Sequence, residues 1–510
     1  MQFRKMNEGG GSFLKAVNEY AWKHIPTYRC WALEGVSYCE HPTAPHLQYM
    51  NIYVPETYMN EDGLINPQGR QGIFTAATAP VVFENGIGGY SESKPDVIGE
   101  GFNGPKIPPH LEKGFIYVAP GSRGRQTKNS QGEFIGRAPL CIVDLKAAIR
   151  YLKANRKSLP GNMNRIVSIG FSAGGAMSAL LGVTGDQPAY LPYLEEIGAV
   201  MTESDRVYAA QCYVPVMDLD HADLGYEWDF AGCDDYTGNM FIPAGTLTPF
   251  QKAVAEKLAE RYAAYFKGME LSVADMDTLR RRLFSAMEKA ATKHLHMIEE
   301  GLLPGLNVQD YLSGRYAQKK WNPMKHEFYE EPGLDHSAWM QWDGSKASLA
   351  PMDTLLKVYR KRVKGCPAFD ELNCRSFEAE EFGPKDAPAT HFSTDMPSIL
   401  DELKAAFPNE YQQYREGYGK AERDETLPLR KKLMNPITML QEQGNHPAAF
   451  FRIRMGARDA ETAFAVPFSF ALNLEKKGIP VDYALVWDAK HEPQDCGDEL
   501  YQWIENLALQ

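Results

Sequence analysis

Short apolar runs alternate with helical segments in two parts of this chain, and the alternation predicts a parallel sheet covered by helices. The first part covers residues 45–215 and the second covers residues 440–510. We interpret as strands the runs at residues 48–54, 79–83, 115–119, 165–169, 209–214, 449–455 and 481–487. The main helices are expected at residues 142–155, 175–182, 462–477 and 497–507.

The chain between these two parts has a helical pattern. Thr248 precedes Pro249, and Gln251 follows at the third helical position, which together form a helix start signal. Apolar residues then recur every four positions, at Val254, Leu258, Tyr262 and Phe266. Gly268 is expected to close this helix, and a second helical pattern covers residues 275–298.

These patterns divide the chain into three segments. Residues 1–216 and 436–510 are predicted to form the two parts of one α/β core with a mostly parallel central sheet. Residues 217–435 are predicted to form a large, mainly helical lid inserted between them. A chain of 510 residues is expected to have more than one core, because single cores stop growing near about 250–300 residues.

Composition and charge exclude several kinds of partner. The chain has 44% hydrophobic and 24% charged residues, as globular proteins do. Its formal net charge of −12 argues against nucleic acid as a partner, because phosphate binding needs a clustered basic surface. The densest basic run, residues 280–282, lies in a predicted helix and is interpreted as a solvated face. No run of about 18 apolar residues occurs, so a membrane is not expected as a partner either.

The cysteines and the N-terminus favour a reducing compartment. Eight cysteines in 510 residues are sparse and none has the CxxC spacing, although an even count would permit disulfides. Residues 1–5 lack the apolar stretch of a signal peptide. We therefore expect a cytoplasmic protein with reduced cysteines. Whether a leader preceded residue 1, and how many chains assemble, stay open.

Candidate chemistry begins at Ser172. The apolar run at residues 165–169 leads into Gly170-Phe-Ser172-Ala-Gly174, a G-x-S-x-G pattern, and a helix of small residues follows. Such a strand-to-helix turn holds a serine hydroxyl clear of the backbone, and the two glycines leave space for the turn. The N–H of Ala173, at the start of the helix, would donate to an oxyanion. A chance pattern in a loop is the alternative, which the flanking strand and helix disfavour.

The partners of Ser172 are expected in the order acid, then histidine. Asp459 comes shortly after a predicted strand, and His491 comes shortly after the last one. The imidazole of His491 would take the serine proton, and Asp459 would hold the required tautomer. Asp488 is the nearest rival acid, but it lies three residues before His491 and is interpreted as structural.

A second oxyanion donor is expected in an early strand-to-helix loop. Residues 84–90 directly follow a predicted strand and contain three glycines. Glycine lets the backbone approach a carbonyl oxygen without a Cβ in the way. Gly88 or Gly89 would donate, and a plain glycine turn is the alternative. Together with the serine turn, this loop predicts a serine hydrolase with the α/β-hydrolase fold.

A metal site is the other chemistry that the sequence offers. His221 lies among Asp218, Asp220 and Asp223, whose oxygen and nitrogen atoms are possible cation ligands. Carboxylates in such loops more often form turns. We therefore expect neither a metal ion nor any other cofactor.

Several segments of the chain resemble bacterial tannases of the lactobacillus type. They lie at residues 170–182, 209–230, 364–370 and 452–459, and the likeness extends from about residue 38 to the C-terminus. The resemblance implies an α/β hydrolase with a large inserted lid, which hydrolyses galloyl esters to gallate and an alcohol. The motifs of the family's serine, aspartate and histidine fall on Ser172, Asp459 and His491.

The resemblance also implies residues that hold the galloyl ring. The family's lysine and glutamate fall on Lys364 and Glu378, and its aspartate two positions after the catalytic one is Glu461 here. Val216 matches an apolar position against the ring. Phenolic hydroxyls bound by charged partners contribute roughly 1.5–3 kcal/mol each. Surface ion pairs are the alternative interpretation of the three charged residues.

Two departures from the family bear on the substrate. Glu461 adds a methylene to the family's aspartate, and Phe377 stands where the family has a proline. Feruloyl, caffeoyl or protocatechuoyl esters are therefore alternatives to galloyl esters, and a small phenolic ester is the expected partner. A general carboxylesterase and a non-catalytic protein of the same fold are the remaining alternatives.

Overall fold

The computed structural model describes residues 14–100, 106–322 and 327–509. Residues 1–5, on which the expectation about a leader depends, lie outside the described part. The strands are β1 (Lys23–Ile25), β2 (Cys30–Ser37), β3 (Tyr49–Pro55), β4 (Arg70–Gln71), β5 (Phe74–Thr75), β6 (Val81–Glu84), β7 (Ile116–Pro120), β8 (Ile166–Phe171), β9 (Ala209–Tyr213), β10 (Asp235–Tyr236), β11 (Gly245–Thr246), β12 (Ala317–Asn322), β13 (Glu327–Pro332), β14 (Met340–Trp342), β15 (Ala347–Leu349), β16 (Phe450–Gly456) and β17 (Val481–Val486).

Helices alternate with these strands along the described residues. They are α1 (Ile107–Glu112), α2 (Leu140–Ala154), α3 (Ala173–Val183), α4 (Leu191–Glu196), α5 (Leu219–Asp229), α6 (Pro249–Gly268), α7 (Met276–Glu299), α8 (Val308–Leu312), α9 (Met352–Val358), α10 (Phe377–Glu381), α11 (Met396–Leu403), α12 (Pro408–Glu422), α13 (Leu427–Leu433), α14 (Pro436–Gln441), α15 (Ala465–Lys476) and α16 (Glu499–Ala508).

Nine strands form one sheet in the order β1-β2-β3-β7-β6-β8-β9-β16-β17. The strands from β7 to β17 in this order pair in parallel, whereas β1, β2, β3 and β7 pair antiparallel. All seven predicted strands belong to this sheet. The prediction of an α/β fold with a mostly parallel sheet is confirmed.

The sequence pattern misses β1 and β2 at one edge of the sheet. β1 has only three residues, and the pairing of β2 with β3 shifts register between Leu33 and Val36. Gly35 lies at this irregularity with φ 74°. A bulge of this kind interrupts the two-residue alternation by which a strand is recognised.

The central strands are buried on both faces. Every residue of β7 and β9 is buried, and in β8 only Phe171 at the end is partly exposed. Helix α3 packs against β8 and β9, and α15 packs against β17. Strands that are covered on both faces consist of nearly continuous apolar runs, which is the pattern that predicted them.

The segment between β9 and β16 contains α5 to α14 and three two-stranded sheets, β10-β11, β12-β13 and β14-β15. The predicted start of α6 is confirmed, because Thr248 Oγ1 accepts from the Gln251 N–H (3.2 Å) and Gln251 Oε1 accepts from the Thr248 N–H (3.0 Å). Val254 of α6 belongs to the same buried apolar cluster as Met455 of β16, so this segment shares a core with the sheet. The domain boundaries at residues 217 and 435 stay a prediction.

All eight cysteines are free thiols. Among the residues that the structure describes, no helix has both the length and the apolar character needed to cross a bilayer.

The carboxyl ends of the parallel strands meet at one edge of the sheet, where the candidate residues gather. Residues 85–90 follow β6, Ser172 follows β8, and Val216 follows β9. Asp459 follows β16, and His491 follows β17. Ligand sites of open α/β sheets lie at this edge.

Candidate active site

The backbone at Ser172 has the strained turn that the G-x-S-x-G pattern predicts. Ser172 has φ 58° and ψ −121°, a conformation that costs a non-glycine residue roughly 1–3 kcal/mol. A Cβ on Gly170 would lie 2.0 Å from the Gly174 carbonyl oxygen, and a Cβ on Gly174 would lie 2.5 Å from Asn85 Oδ1. Both positions therefore require glycine. The Ser172 N–H donates to the Tyr213 carbonyl at 3.0 Å, which fixes the turn to β9.

The structure brings the three predicted side chains into one hydrogen-bonded series. His491 Nε2 lies 2.9 Å from Ser172 Oγ, and His491 Nδ1 lies 3.0 Å from Asp459 Oδ2. The other carboxylate oxygen of Asp459 accepts from the Glu461 N–H at 2.8 Å. Asp459 is fully buried, whereas the imidazole keeps part of its surface open beside Phe171, with 5.1 Å between ring centroids.

The environment of His491 favours its protonated form. Burial lowers the pKa of His491, but the negative charge of Asp459 and the hydrogen bond to it outweigh this effect and raise the pKa above the usual value. Glu461 raises this pKa further, whereas Lys364 lowers it. An imidazolium that forms during a reaction is thus stabilised where it forms.

Arg360 holds the loop that carries Asp459, a role that the sequence does not reveal. Its Nε donates to the Asp459 carbonyl at 2.5 Å, and its Nη2 donates to the Thr462 carbonyl at 2.9 Å. Its Nη1 lies 3.0 Å from the carboxylate of Asp229. Arg360 is 1% exposed and lies 99 residues before Asp459, so no local motif marks it.

The glycine loop after β6 has its carbonyl groups fixed. The Ile87 carbonyl accepts from the Gly174 N–H at 2.9 Å, and the Gly88 carbonyl accepts from the Ser91 N–H at 2.9 Å. Because a trans peptide points its N–H away from its C=O, these bonds also set the directions of the Gly88 and Gly89 N–H groups. Within the described residues, the Ala173 N–H has no acceptor, as expected at the first position of a helix.

Arg125 ties this loop to α10 and is a second residue that sequence reasoning misses. Its Nε donates to the Gly89 carbonyl at 2.7 Å, and its Nη1 pairs with Glu380 of α10. Its guanidinium lies 4.2 Å from the centre of the Phe377 ring. The same ring covers Gly89, where an added Cβ would lie 2.8 Å from Phe377 Cδ2. The loop and the start of α10 therefore form one packed unit.

Lys364 and Glu378 do not form an ion pair with each other. Lys364 Nζ lies 4.0 Å from the centre of the Phe369 ring. Neither side chain forms an ion pair, or a hydrogen bond to the side chain of another described residue. Burial raises the pKa of Glu378 above its usual value, and the positive charge of Lys364 opposes this only in part. The alternative of a surface ion pair therefore does not describe Glu378, which is 8% exposed.

Glu461 has a partner in the segment between β9 and β16. Both of its carboxylate oxygens lie 3.0 Å from Asn239 Nδ2. Asn239 Oδ1 accepts from the N–H groups of Phe241 and Ile242, which closes a tight turn (2.8 and 2.9 Å). Each carboxylate oxygen keeps a lone pair for a further donor.

Val216 lies next to Ser172. Its N–H donates to the Ser172 carbonyl at 3.2 Å, and its carbonyl accepts from Tyr90 Oη at 2.7 Å. Hydrogen bonds thus connect Ser172 with Val216 and His491 directly, and with Asp459 and Glu461 through His491. By contrast, Asp488 accepts from Tyr311 Oη (2.7 Å) and Gln318 Nε2 (3.1 Å) and has no contact with His491, in agreement with a structural role.

The Asp218, Asp220 and His221 side chains cluster, with their possible ligand atoms within 4.8 Å of one another. Hydrogen-bond donors already approach these oxygens, since Asn435 Nδ2 lies 2.5 Å from Asp218 and 2.8 Å from Asp220. His221 Nδ1 lies 2.9 Å from Asp218. Burial lowers the pKa of His221, but the two carboxylates raise it to about 9. These side chains therefore form a hydrogen-bond network with one another and with Asn435.

Comparisons with known proteins agree with this geometry. A family model described as BD-FAE, for a family of α/β hydrolases, matches residues 102–217, which include Ser172. Esterase LipC of Mycobacterium tuberculosis is 43% identical over 60 residues, which cover 12% of this chain and 15% of that protein.

Solved structures match nearly the whole chain. The tannin acyl hydrolase from Lactobacillus plantarum has a TM-score of 0.77 and 27% identity, over 97% of this chain and 98% of its own. A tannase from Fusobacterium nucleatum has a TM-score of 0.75 and 28% identity, over 97% and 99%. A tannin acyl hydrolase in complex with ethyl gallate has a TM-score of 0.77 and 27% identity, over 97% and 98%. The predicted resemblance is confirmed.

Proposed function

Because this chain is a carboxylic ester hydrolase with the α/β-hydrolase fold, we propose that it hydrolyses esters of gallic acid or of closely related hydroxylated aromatic acids. The observation that carries the proposal is the hydrogen-bonded series of Ser172, His491 and Asp459. The likeness to tannin acyl hydrolases, one of them in complex with ethyl gallate, supports the galloyl class. The partner is a small phenolic ester, and neither nucleic acid nor a membrane is needed.

In the acylation step, Ser172 Oγ attacks the ester carbonyl carbon while His491 Nε2 takes its proton. Asp459 holds the imidazole with Nε2 facing the serine and stabilises the positive charge that develops. The N–H of Ala173, with that of Gly88 or Gly89, donates to the oxyanion. His491 then returns the proton to the leaving alcohol, and the acyl group stays on Ser172.

In the deacylation step, water attacks the same carbonyl carbon and gives a proton to His491. The acid leaves when the bond to Ser172 Oγ breaks and the serine regains this proton. The raised pKa of His491 suits both steps, because the imidazole has to accept a proton and give it up again.

The ring of the acid is held by the charged residues near His491. Lys364 donates to a ring oxygen, whereas Glu378 and Glu461 accept from ring hydroxyls, and Val216 provides an apolar contact. Among the described residues, neither Lys364 nor Glu378 forms an ion pair or a hydrogen bond with another side chain, so binding a ring does not require an ion pair to break. Hydrogen bonds to charged groups discriminate strongly against rings that lack the hydroxyls.

A second candidate substrate class is favoured by the contact of Glu461 with Asn239. Since both carboxylate oxygens already contact this amide, a ring with two hydroxyls, or with a hydroxyl and a methoxy group, leaves no binding residue unpaired. Protocatechuoyl, caffeoyl and feruloyl esters belong to this class.

The test compares methyl gallate, methyl protocatechuate, methyl ferulate and p-nitrophenyl butyrate as substrates. We expect kcat/KM to be highest for one of the hydroxylated aromatic esters. Ser172→Ala should lower kcat by about 10⁴-fold or more on all four esters, and mass spectrometry should detect an acyl adduct on Ser172 in the wild type only.

Lys364→Met separates ring recognition from the chemistry at the ester. We expect it to lower kcat/KM for the hydroxylated esters by about 10–100-fold and to leave the butyrate ester within about threefold. Lys361→Met, at an exposed lysine of the same loop, is the matched control. Equal losses on all four esters would exclude a role of Lys364 in ring binding, and a preference for the butyrate would exclude the proposed substrate class.

A further inference from the structure

Two neighbouring segments supply the proposed oxyanion donors. The serine turn, residues 169–174, carries the Ala173 N–H, and the glycine loop, residues 85–90, carries the N–H groups of Gly88 and Gly89. These donors follow different strands, β8 and β6, but they have to reach the same oxygen atom at about 2.7–3.1 Å. Contacts between the two segments therefore have to fix the position of one donor relative to the other.

Asn85 makes the first of these contacts, at the start of the glycine loop. It is 3% exposed, and its Nδ2 donates to the carbonyls of Ile169 and Gly174, both at 3.1 Å. One of these carbonyls precedes Ser172 in the chain and the other follows it. Nδ2 also lies 3.3 Å from Ser178 Oγ of α3. Since an amide nitrogen has two N–H groups, the Asn85 side chain gives all its donors to the serine turn and the helix that follows it.

The two glycines of the G-x-S-x-G pattern leave room for this amide. A Cβ on Gly170 would lie 2.6 Å from Asn85 Nδ2, and a Cβ on Gly174 would lie 2.5 Å from Asn85 Oδ1. The Gly174 N–H in turn donates to the Ile87 carbonyl at 2.9 Å. The Asn85 amide is therefore enclosed between the glycine loop and the serine turn, and a change in its position moves one segment against the other.

Tyr90 makes the second contact, at the end of the glycine loop. It is fully buried and has φ 56°, in the left-handed region that a bulky residue rarely adopts. Its Oη donates to the Val216 carbonyl at 2.7 Å, and the Val216 N–H donates to the Ser172 carbonyl at 3.2 Å. Tyr90 thus reaches the serine turn through the residues that follow β9.

The composition of the glycine loop explains why both of its ends need a contact. Gly86, Gly88 and Gly89 have no Cβ and permit many backbone conformations. A loop of this kind keeps one conformation only where the surrounding structure imposes it. Asn85 and Tyr90 connect its two ends to the serine turn, so together they restrict the directions in which the N–H groups between them point.

We propose that Asn85 and Tyr90 are positioning residues, which hold the glycine loop against the serine turn so that donors from both segments meet at one oxyanion. The inference rests on the proposed function and assigns to these two side chains a role in the transition state of that reaction. Both act through backbone groups. In the described part of the chain, neither is hydrogen-bonded to Ser172 Oγ or to the imidazole of His491.

The first test measures the kinetics of Asn85→Leu and Tyr90→Phe with the hydroxylated aromatic ester that the wild type prefers. We expect kcat and kcat/KM to fall together, by about 10–100-fold in each variant, which is less than the 10²–10³-fold cost of losing one oxyanion donor. Asn155→Leu and Tyr58→Phe are the matched controls. Their side chains are also buried and bonded to backbone groups, but before β7 and β8, at the edge of the sheet away from Ser172. Both controls should keep kcat within threefold of the wild type.

The second test separates binding of the oxyanion from binding of the ring. Ser172 Oγ can bond to the boron atom of 4-hydroxyphenylboronic acid while its proton passes to His491, and the boron becomes tetrahedral and negatively charged. One boron hydroxyl then lies where the oxyanion forms. In Asn85→Leu and Tyr90→Phe, we expect the affinity for this acid to fall about 10–100-fold and the affinity for 4-hydroxybenzoic acid to stay within threefold. A role in stability alone would leave the ratio of the two affinities at its wild-type value.

Three outcomes would overturn the inference: kcat within threefold of the wild type in Tyr90→Phe, equal losses of kcat in the two control variants, or an unchanged ratio of the two affinities. If Asn85→Leu does not fold, Tyr90→Phe decides, because it removes a single oxygen atom. The proposed function survives each of these outcomes. Failure of the wild type to hydrolyse any of the hydroxylated aromatic esters overturns both.

Discussion

Arg125 is expected to control the turnover number although it touches neither the serine nor the histidine. Arg125→Met keeps much of the side chain's length but removes the hydrogen bond from Nε to the Gly89 carbonyl at 2.7 Å and the ion pair with Glu380. The peptide that joins Gly89 to Tyr90 then loses a charged donor that fixes its plane, and the preceding peptide, which carries the Gly89 N–H, loses this support. The N–H groups of the loop should remain present but less well oriented toward the oxyanion.

The expected fall of kcat in Arg125→Met follows from two limits. A hydrogen bond from a charged donor contributes roughly 1.5–3 kcal/mol, and complete loss of one oxyanion donor costs about 2.7–4 kcal/mol in the transition state. Loosening a donor costs less than losing it. We therefore expect kcat for the preferred aromatic ester to fall about 10- to 100-fold, with a smaller change in KM.

Two controls separate orientation of the loop from general loss of stability. Arg165→Met removes an arginine that also contacts an aromatic ring (4.4 Å to the Tyr208 ring) and a backbone carbonyl, but at the opposite end of β8 from Ser172. Glu380→Gln removes the ion pair and keeps the bond to Gly89. Steady-state kinetics and thermal unfolding are measured for all three variants. If Arg125→Met kept kcat within twofold of wild type while losing as much stability as Arg165→Met, Arg125 would not orient the loop.

Two further predictions concern charge and stability. Because His491 acts only when neutral and its pKa is raised above 6.5, kcat/KM should fall as pH drops through this raised value. Glu461→Gln should move the acidic limb of the pH–rate profile to lower pH, and Lys364→Met should move it to higher pH. If both variants shifted the limb in the same direction, the assignment of this limb to His491 would be contradicted. Arg360→Met leaves Asp229 buried without its ion-pair partner, so the free energy of unfolding in urea should fall by about 3–5 kcal/mol. The exposed Arg423→Met serves as its control, and a loss below about 1 kcal/mol would contradict the role of Arg360.

The parts of the fold that follow from local periodicity were predictable from the sequence. Strands β7, β8 and β9 are buried on both faces and consist of apolar runs, and α6 begins with a capping signal that the structure contains. The edge strand β2 was not recognisable, because Gly35 and a register shift break its pattern. The short strand pairs between β9 and β16 have two to six residues each, too few to establish a period.

The candidate site was predictable only where chain order or a motif identifies a residue. Ser172 lies in a G-x-S-x-G pattern, and the acid and histidine are expected after later strands. Arg125, Asn239 and Arg360 contact the site across 36, 222 and 99 residues of sequence. Such contacts depend on the packed structure, and a single arginine or asparagine in a loop has no pattern that distinguishes it from a solvated one.

The contacts of Asp459 and Glu461 show why the segment between β9 and β16 is part of the frame of the site and not only its cover. Arg360 of this segment holds the Asp459 carbonyl, and Asn239 of the same segment holds the Glu461 carboxylate. Both bonds meet the short loop after β16, whose Asp459 side chain contacts His491. A displacement of the segment would therefore move the proposed acid and a proposed ring-binding residue together. The position of the acid, and with it the tautomer of His491, depends on this segment being seated on the sheet.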